Sequence, residues 1–336
     1  MIQIGVIGYG QWGPNHVRNF LQLVDSTVTS CADLSVDRLK SLRQSFQNVR
    51  PTKNYKEILK DPRIDAVVVA TPTHTHYPLV KESLLSGKDV LCEKPLCLRE
   101  IEARELIRIA RQKKRILMVG HVFLFNSGIQ KMRDLIRKKQ CGRLYYLHSE
   151  RTNLGPFRTD VNAVWDLAAH DVSIFNYLLN SMPIEVSARG GAYLQQKIED
   201  VAFISLVYPQ EVLVNIHVSW LDPRKVRQMT VVGTKRMVIW DDLDHVGPVR
   251  IYDRQVVPRY YYETFGEFQL LAKEGTITIP KINLHEPLKE QAVHFVNCIK
   301  FRKQPLTDGR AGLSVIRVLL GIQKSLNRKG APIRLA

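Results

Sequence analysis

Three short runs of residues have the types and spacing that chemistry requires. Gly8-Tyr9-Gly10-Gln11-Trp12-Gly13 spaces its glycines as a dinucleotide pyrophosphate needs them. The first allows a tight turn, the second lets backbone approach phosphate, and the third lets a helix pack closely on a strand. Glu93-Lys94-Pro95 offers a cation that can stabilise the oxyanion formed as a hydroxyl loses its proton. A positive nicotinamide nearby would depress the pKa of that lysine. Trp165-Asp166-Leu167-Ala168-Ala169-His170-Asp171 holds a histidine suited to general-base work, because its ordinary pKa is near neutrality. Asp166 lies four residues earlier, on the same face of a helix, where it can orient the ring or hold a sugar hydroxyl. Asp171 points about 100° away and suits a structural contact. Each run has a plainer reading alone: turn glycines, a surface lysine at a strand end, a satisfied core histidine. Together they imply a nicotinamide-dependent oxidoreductase.

Such groups must be carried at strand ends, and the sequence supplies the strands. Apolar runs at 2–7, 28–32, 66–70, 89–92 and 116–119 alternate with amphipathic stretches near 14–24, 36–47, 77–86 and 98–114. Short apolar runs joined by crossover helices predict a parallel sheet covered on both faces, an α/β doubly wound fold. Asp33 then ends the second strand, where an acid bonds the adenosine ribose hydroxyls and repels a 2′-phosphate. With Leu34 next and no arginine before Arg38, the expected cofactor is NAD rather than NADP. Thr71-Pro72-Thr73-His74-Thr75-His76 follows the third run, at the sheet edge where ligands bind. It reads as a loop beside the nicotinamide ribose, with Thr71 giving polar contacts and His76 starting the next helix. Two histidines without a third ligand make a poor zinc site, so no metal is expected.

Beyond Gly120 the texture changes. A helix near 127–139, a strand at 143–150, a polar loop and a helix at 163–179 lead into alternating runs at 201–208, 212–220, 228–232 and 236–240, with Pro209-Gln210 as a hairpin turn. Helices at 286–302 and 308–328 follow. The expected organisation is a Rossmann domain over 1–121. An α+β domain with an open, mostly antiparallel sheet then covers 122–336, binding substrate on one face and a second copy on the other.

Composition narrows the class. The 336 residues are 45% hydrophobic and 24% charged, ordinary for a soluble domain pair. No apolar run reaches the roughly 20 residues of a membrane span. Met1 to Gly10 lacks the basic start and small-residue cleavage site of a signal peptide and reads as a buried strand, so a cytoplasmic location is expected. Five cysteines form no C-x-x-C pair, against a disulfide framework. The net charge of +17 fits an anionic small-molecule substrate, while no zinc finger or aromatic RNA-binding signature accompanies it. Neither nucleic acid nor membrane is an expected partner. Much of the charge falls late in two expected helices, Arg104, Arg108, Arg111, Lys113, Lys114 and Arg115 in one and Arg137, Lys138 and Lys139 in the other. The first begins acidic with Glu100, Glu102 and Glu105, which complements a helix dipole.

The order of the three runs, with Pro305-Leu306-Thr307-Asp308-Gly309 before the last helix, resembles the Gfo/Idh/MocA oxidoreductases along essentially the whole chain. Glu150-Arg151-Thr152-Asn153-Leu154-Gly155, Arg158-Thr159-Asp160, Asn162 and Val164 to Ala168 resemble the branch containing UDP-N-acetylglucosaminuronate 3-dehydrogenases, which make 3-keto nucleotide sugars for surface polysaccharides. The resemblance implies Lys94 and His170 as the catalytic pair, with Asp166 beside them. It implies Arg151, Asn153, Arg158, Asn162 and His170 around the substrate. The fingerprint Gly8 to Gly13, Asp33, Thr71, Pro72, His76, Glu93 and Lys94 would surround NAD. It further implies a cis Lys94–Pro95 bond, a homo-oligomer, and reoxidation of bound NADH by a 2-oxoacid. Ala169 stands where that branch often has proline, and Asn126-Ser127 where His-Pro is common. Another sugar or cyclitol as substrate, and a non-catalytic NAD-binding regulator, stay open as alternatives.

Overall fold

The structure is a computed structural model and describes residues 1–253 and 275–335. The chain divides into two compact units, Met1–Phe125 with His285–Arg317, and Asn126–Leu284 with Val318–Ala336. Residues 285–317 therefore join the first unit, whereas the sequence reading placed everything after 121 in the second.

The first unit is built on six parallel strands: β1 (Ile2–Ile7), β2 (Ser26–Ala32), β3 (Arg50–Thr52), β4 (Ala66–Val69), β5 (Asp89–Cys92) and β6 (Leu117–Val119). Their order is β3-β2-β1-β4-β5-β6, that of doubly wound dinucleotide folds. Helices α1 (Gly13–Leu21), α2 (Val36–Ser45), α3 (Tyr55–Lys60), α4 (His76–Leu85) and α5 (Glu100–Gln112) make the crossovers. β4 and β5 are buried along their whole length, as expected of strands covered on both faces. Strand β3 and helix α3 escaped the sequence reading. Arg50-Pro51-Thr52 carries no apolar run, and its proline is tolerated because β3 is an edge strand. Helix α8 (Pro287–Phe301) belongs to this unit because its apolar face completes the core: Phe295 is fully buried and meets Phe20 of α1 edge-on at 6.2 Å. Arg302, just past α8, bonds the Asp89 carboxylate at 2.8 Å.

Among the described residues the second unit holds a nine-stranded sheet. Its strands are β7 (Leu144–Leu154), β8 (Glu185–Gly191), β9 (Val201–Tyr208), β10 (Val212–Ser219), β11 (Leu221–Gly233), β12 (Met237–Asp241), β13 (Val249–Tyr252), β14 (Ile277–Thr278) and β15 (Ile333–Arg334). They run in the order β14-β13-β12-β11-β7-β10-β9-β8-β15, antiparallel except for the β7–β10 pair. Burial alternates with period two along β9 and β10. Ala202, Ile204, Leu206, Val214, Ile216 and Val218 face the core. Helices α6 (Ser127–Arg137) and α7 (Ala169–Leu179) belong to this unit. α9 (Gly309–Asn327) begins in the first unit and ends in the second. Asn126 caps α6 by accepting from the Gly128 and Ile129 amides at 2.9 and 3.3 Å, and donates to Asp242 at 3.1 Å. That is the local work of a residue standing where the resembling branch has histidine. The expected strand at 143–150 continues to Leu154, so Arg151, Thr152 and Asn153 lie on sheet rather than in a loop.

Candidate active site

In the first unit the fingerprint loop has the shape the glycine spacing predicts. Gly8 has φ +100°, and a Cβ there would lie 2.4 Å from the Ala70 carbonyl oxygen. A Cβ on Gly13 would lie 2.3 Å from the Gly8 carbonyl oxygen, so helix and strand touch at that point. At Gly10 the nearest atom to such a Cβ is Arg38 Nη1, 3.6 Å away, which leaves room for a ligand above the backbone. No side chain caps the N-terminus of α1, and its first-turn amides suit an anion. Tyr9 is buried, while Gln11 and Trp12 are exposed. The loop thus fits a dinucleotide pyrophosphate.

Asp33 anchors this loop as well as ending β2. Its carboxylate accepts from the Tyr9 amide at 2.7 Å and the Ser35 amide at 2.8 Å, and Arg38 Nη1 lies 3.5 Å away. In the loop after β4, the Thr75 hydroxyl donates to the Thr71 hydroxyl at 2.6 Å, and Pro72 is exposed. His76 opens α4 and is buried. Its Nδ1 lies 2.7 Å from the Pro95 carbonyl oxygen and its Nε2 2.9 Å from that of Thr71. It ties the loop after β4 to the Glu93-Lys94-Pro95 segment.

At the end of β5, Glu93 Oε1 lies 2.7 Å from Nε2 of the buried His16 in α1, and Glu93 Oε2 accepts from the Lys94 amide at 3.2 Å. Burial pushes the Glu93 carboxyl upward, but the His16 hydrogen bond and the Lys94 charge outweigh it and hold the group below its usual value. Lys94 is partly exposed, and the Lys94–Pro95 bond is cis. His121 follows β6 and was not singled out from the sequence. Its position at the carboxyl edge of a parallel sheet was the available signal. Burial, together with the Lys94 charge, pushes its pKa down to about 4, against the opposing pull of Glu93.

In the second unit the residues flanking His170 are cross-braced. The turn Val164–Ala168 is a π-helix running directly into α7, a feature common at functional sites. It carries Asp166, whose Oδ1 accepts from Arg158 Nη1 at 3.2 Å and Oδ2 from Trp220 Nε1 at 3.3 Å. Arg158 also grips Asp160 at 2.9 and 2.7 Å, which holds the Asp160 carboxyl below its usual value. His170 is the second residue of α7 and is half-buried, with its carbonyl accepting from the Ser173 hydroxyl at 2.7 Å.

Three further expected substrate contacts are, like Arg158, already engaged within the protein. Arg151 is 3% exposed and forms a bidentate pair with Asp171 at 3.0 Å through Nε and Nη2. Burial raises the Asp171 pKa in spite of that partner. Asn162 donates to Glu199 at 2.6 Å and Gln323 at 2.9 Å while accepting from the Trp165 amide at 3.1 Å. Asn153 donates to the Gly155 carbonyl. Trp220, which the sequence reading missed, became legible only once β10 was seen to end beside the π-turn.

Fold and fingerprint define a NAD-binding Rossmann protein with a second α+β unit. Residues 2–121 match the model of the oxidoreductase family with NAD-binding Rossmann fold (GFO_IDH_MocA), and residues 129–239 match the GFO/IDH/MocA C-terminal domain. The chain belongs to the Gfo/Idh/MocA oxidoreductase family. It is 27% identical to a myo-inositol 2-dehydrogenase of Thermotoga maritima over 202 residues, 59% of this chain and 60% of that protein's length. It is 26% identical over 330 residues, 96% of each chain, to a UDP-N-acetylglucosamine 3-dehydrogenase of Acidithiobacillus ferrooxidans. A crystal form of that enzyme, GnnA, superposes with a TM-score of 0.82 at 22% identity over 98% of both chains. Among the described residues no helix is long and apolar enough to cross a membrane.

Proposed function

We propose that this protein oxidises the 3-hydroxyl of a UDP-linked N-acetylhexosamine to a 3-keto nucleotide sugar. The observation that carries the reading is the match to a UDP-N-acetylglucosamine 3-dehydrogenase along 96% of both chains. The inositol dehydrogenase match spans about three fifths of its partner. Bound NAD supplies the hydride acceptor. His170 takes the hydroxyl proton, and the Lys94 ammonium stabilises the negative charge that develops as the proton leaves. Asp166, fixed by Arg158 and Trp220, is poised to hold a sugar hydroxyl. A C6 carboxylate on the sugar, the form the branch resemblance implies, is the narrower version of this proposal. Two parts of the reading concern partners: a 2-oxoacid reoxidises NADH, and copies associate through the open sheet face that exposes Phe203 and Leu213.

Single-turnover NADH formation with stoichiometric protein and NAD tests the reading, because tightly held NADH cannot hide one turnover. UDP-N-acetylglucosamine, its 6-carboxylate and myo-inositol are offered separately. A burst with either nucleotide sugar supports the proposal, and the faster one fixes the sugar. A burst with myo-inositol alone overturns it.

A further inference from the structure

The cations expected around the substrate are engaged inside the protein. Arg151 is closed on Asp171, and Arg158 is shared between Asp160 and Asp166, so two guanidinium groups face three carboxylates. A nucleotide sugar brings a diphosphate, and these residues have no positive charge left over to meet it. Any cation that does so must come from elsewhere at the same end of the sheet.

That end carries a basic bulge at the start of β11. Leu221 pairs with Leu154 and Val226 with Thr152, so Asp222 to Lys225 stand opposite Asn153 alone. The backbone of the bulge is pinned. The Arg224 amide donates to Asp222 Oδ1 at 3.0 Å, and the Arg224 carbonyl accepts from the Thr152 hydroxyl at 3.3 Å. Pro223 has no N–H for a ladder, and a bulge is where a strand tolerates it. Pro223, Arg224 and Lys225 are all exposed. Among the described residues neither Arg224 nor Lys225 has a carboxylate partner, whereas Arg227, further along β11, pairs with Asp242 at 3.2 Å.

The bulge also stands where the chemistry is. β7 and β10 run parallel and end together, with Ser219 beside Thr152. Trp220 follows at once: its carbonyl accepts from the Gly155 amide at 3.0 Å, and its indole N–H reaches Asp166 at 3.3 Å. Asp222 to Lys225 therefore leave the sheet within a few residues of the carboxylate that precedes His170. Bulges are common beside active sites, where they aim side chains that a regular strand would not. An arginine can fork onto phosphate oxygens, and a lysine adds a mobile point charge.

The geometry points to the β11 bulge as the diphosphate-binding part of the substrate site, with Arg224 and Lys225 as its cations. The inference rests on the nucleotide-sugar reading and narrows it: Asp166 holds the sugar end and the bulge holds the diphosphate. A cyclitol has no use for either cation.

The test is titration calorimetry of the full chain with UDP in the presence of saturating NADH. Wild type is compared with Arg224→Ala/Lys225→Ala and with Lys235→Ala, a control that removes an exposed cation from the other end of β11. The double variant should weaken UDP by about tenfold or more, the low end for charge-assisted bonds to phosphate. The gap to wild type should narrow as salt is raised. Lys235→Ala should bind UDP as wild type does. In single turnover the double variant should need more UDP-N-acetylglucosamine for half its limiting burst rate, with the limiting rate itself near wild type. Wild type that binds no UDP would overturn the nucleotide-sugar reading and the bulge with it. UDP bound equally well by wild type and the double variant, or weakened as much by Lys235→Ala, would overturn the bulge alone. If the alanine variant does not fold, Arg224→Gln/Lys225→Gln, which keeps the side-chain stems, carries the same comparison.

Discussion

His121 makes a quantitative prediction about acid stability. Its folded pKa is about 4, against an ordinary value of 6.5. Because the folded value is the lower one, the unfolded chain takes up a proton first as pH falls. The folded state therefore loses stability between about pH 6.5 and pH 4 and keeps it above that window. The full difference, about 2.5 units, corresponds to about 3 kcal/mol, of which about 2 kcal/mol is lost between pH 7 and pH 5. Glu93 has the opposite history: its pKa is held down, so its contribution is present above the usual glutamate range and fades only in stronger acid. Lys94, the other charged neighbour, is common to both proteins compared. The assay is urea unfolding at pH 7 and pH 5 of the ligand-free wild type and His121→Phe. The variant should lose about 2 kcal/mol less than wild type across that step. Parallel loss in the two proteins would show that the His121 ring is solvated or protonated in the folded state, and the burial argument would fail.

Other predictions concern the two units separately. Lys94→Ala and His170→Asn should each abolish the single-turnover NADH burst while leaving the thermal midpoint near wild type; near-normal rates in both would refute the assigned chemistry. Arg151→Met should cost about 3–5 kcal/mol in urea unfolding, because it strands the buried Asp171 carboxylate, and adding Asp171→Leu should restore much of the loss. Asp33→Ser should move preference from NAD toward NADP by about tenfold in calorimetric affinity, since Arg38 Nη1 already lies 3.5 Å from the carboxylate that is removed. An unchanged NAD-to-NADP ratio would mean that Arg38 does not reach the adenosine ribose.

What the sequence made legible follows from how local the cause of each feature is. β1, β4 and β5 are strands because each is a short stretch rich in apolar residues, and the fingerprint loop is bent because Gly8 must take φ +100°. Both causes lie within a few residues. β3 has no such cause, because Arg50-Pro51-Thr52 is strand by virtue of its pairing with β2. The return of 285–317 to the first unit depends on Phe295 meeting Phe20, a contact across some 275 positions that periodicity cannot reveal.

The polar residues of the candidate site divide in the same way. Type and spacing placed Lys94 at a strand end and His170 at a helix start, because those positions are set by backbone. They could not say which polar atoms are already engaged. Arg151 and Arg158 looked alike as hands for an anion, yet the first is buried against Asp171 and the second is shared between Asp160 and Asp166. The same distinction applies to the surplus of +17. On α5, Arg104 pairs with Glu100, and Arg99 just before the helix pairs with Glu102. Such pairs are balanced charge and form no part of the surplus, whose location the total does not give. A high net charge is therefore weak evidence for a polyanionic substrate.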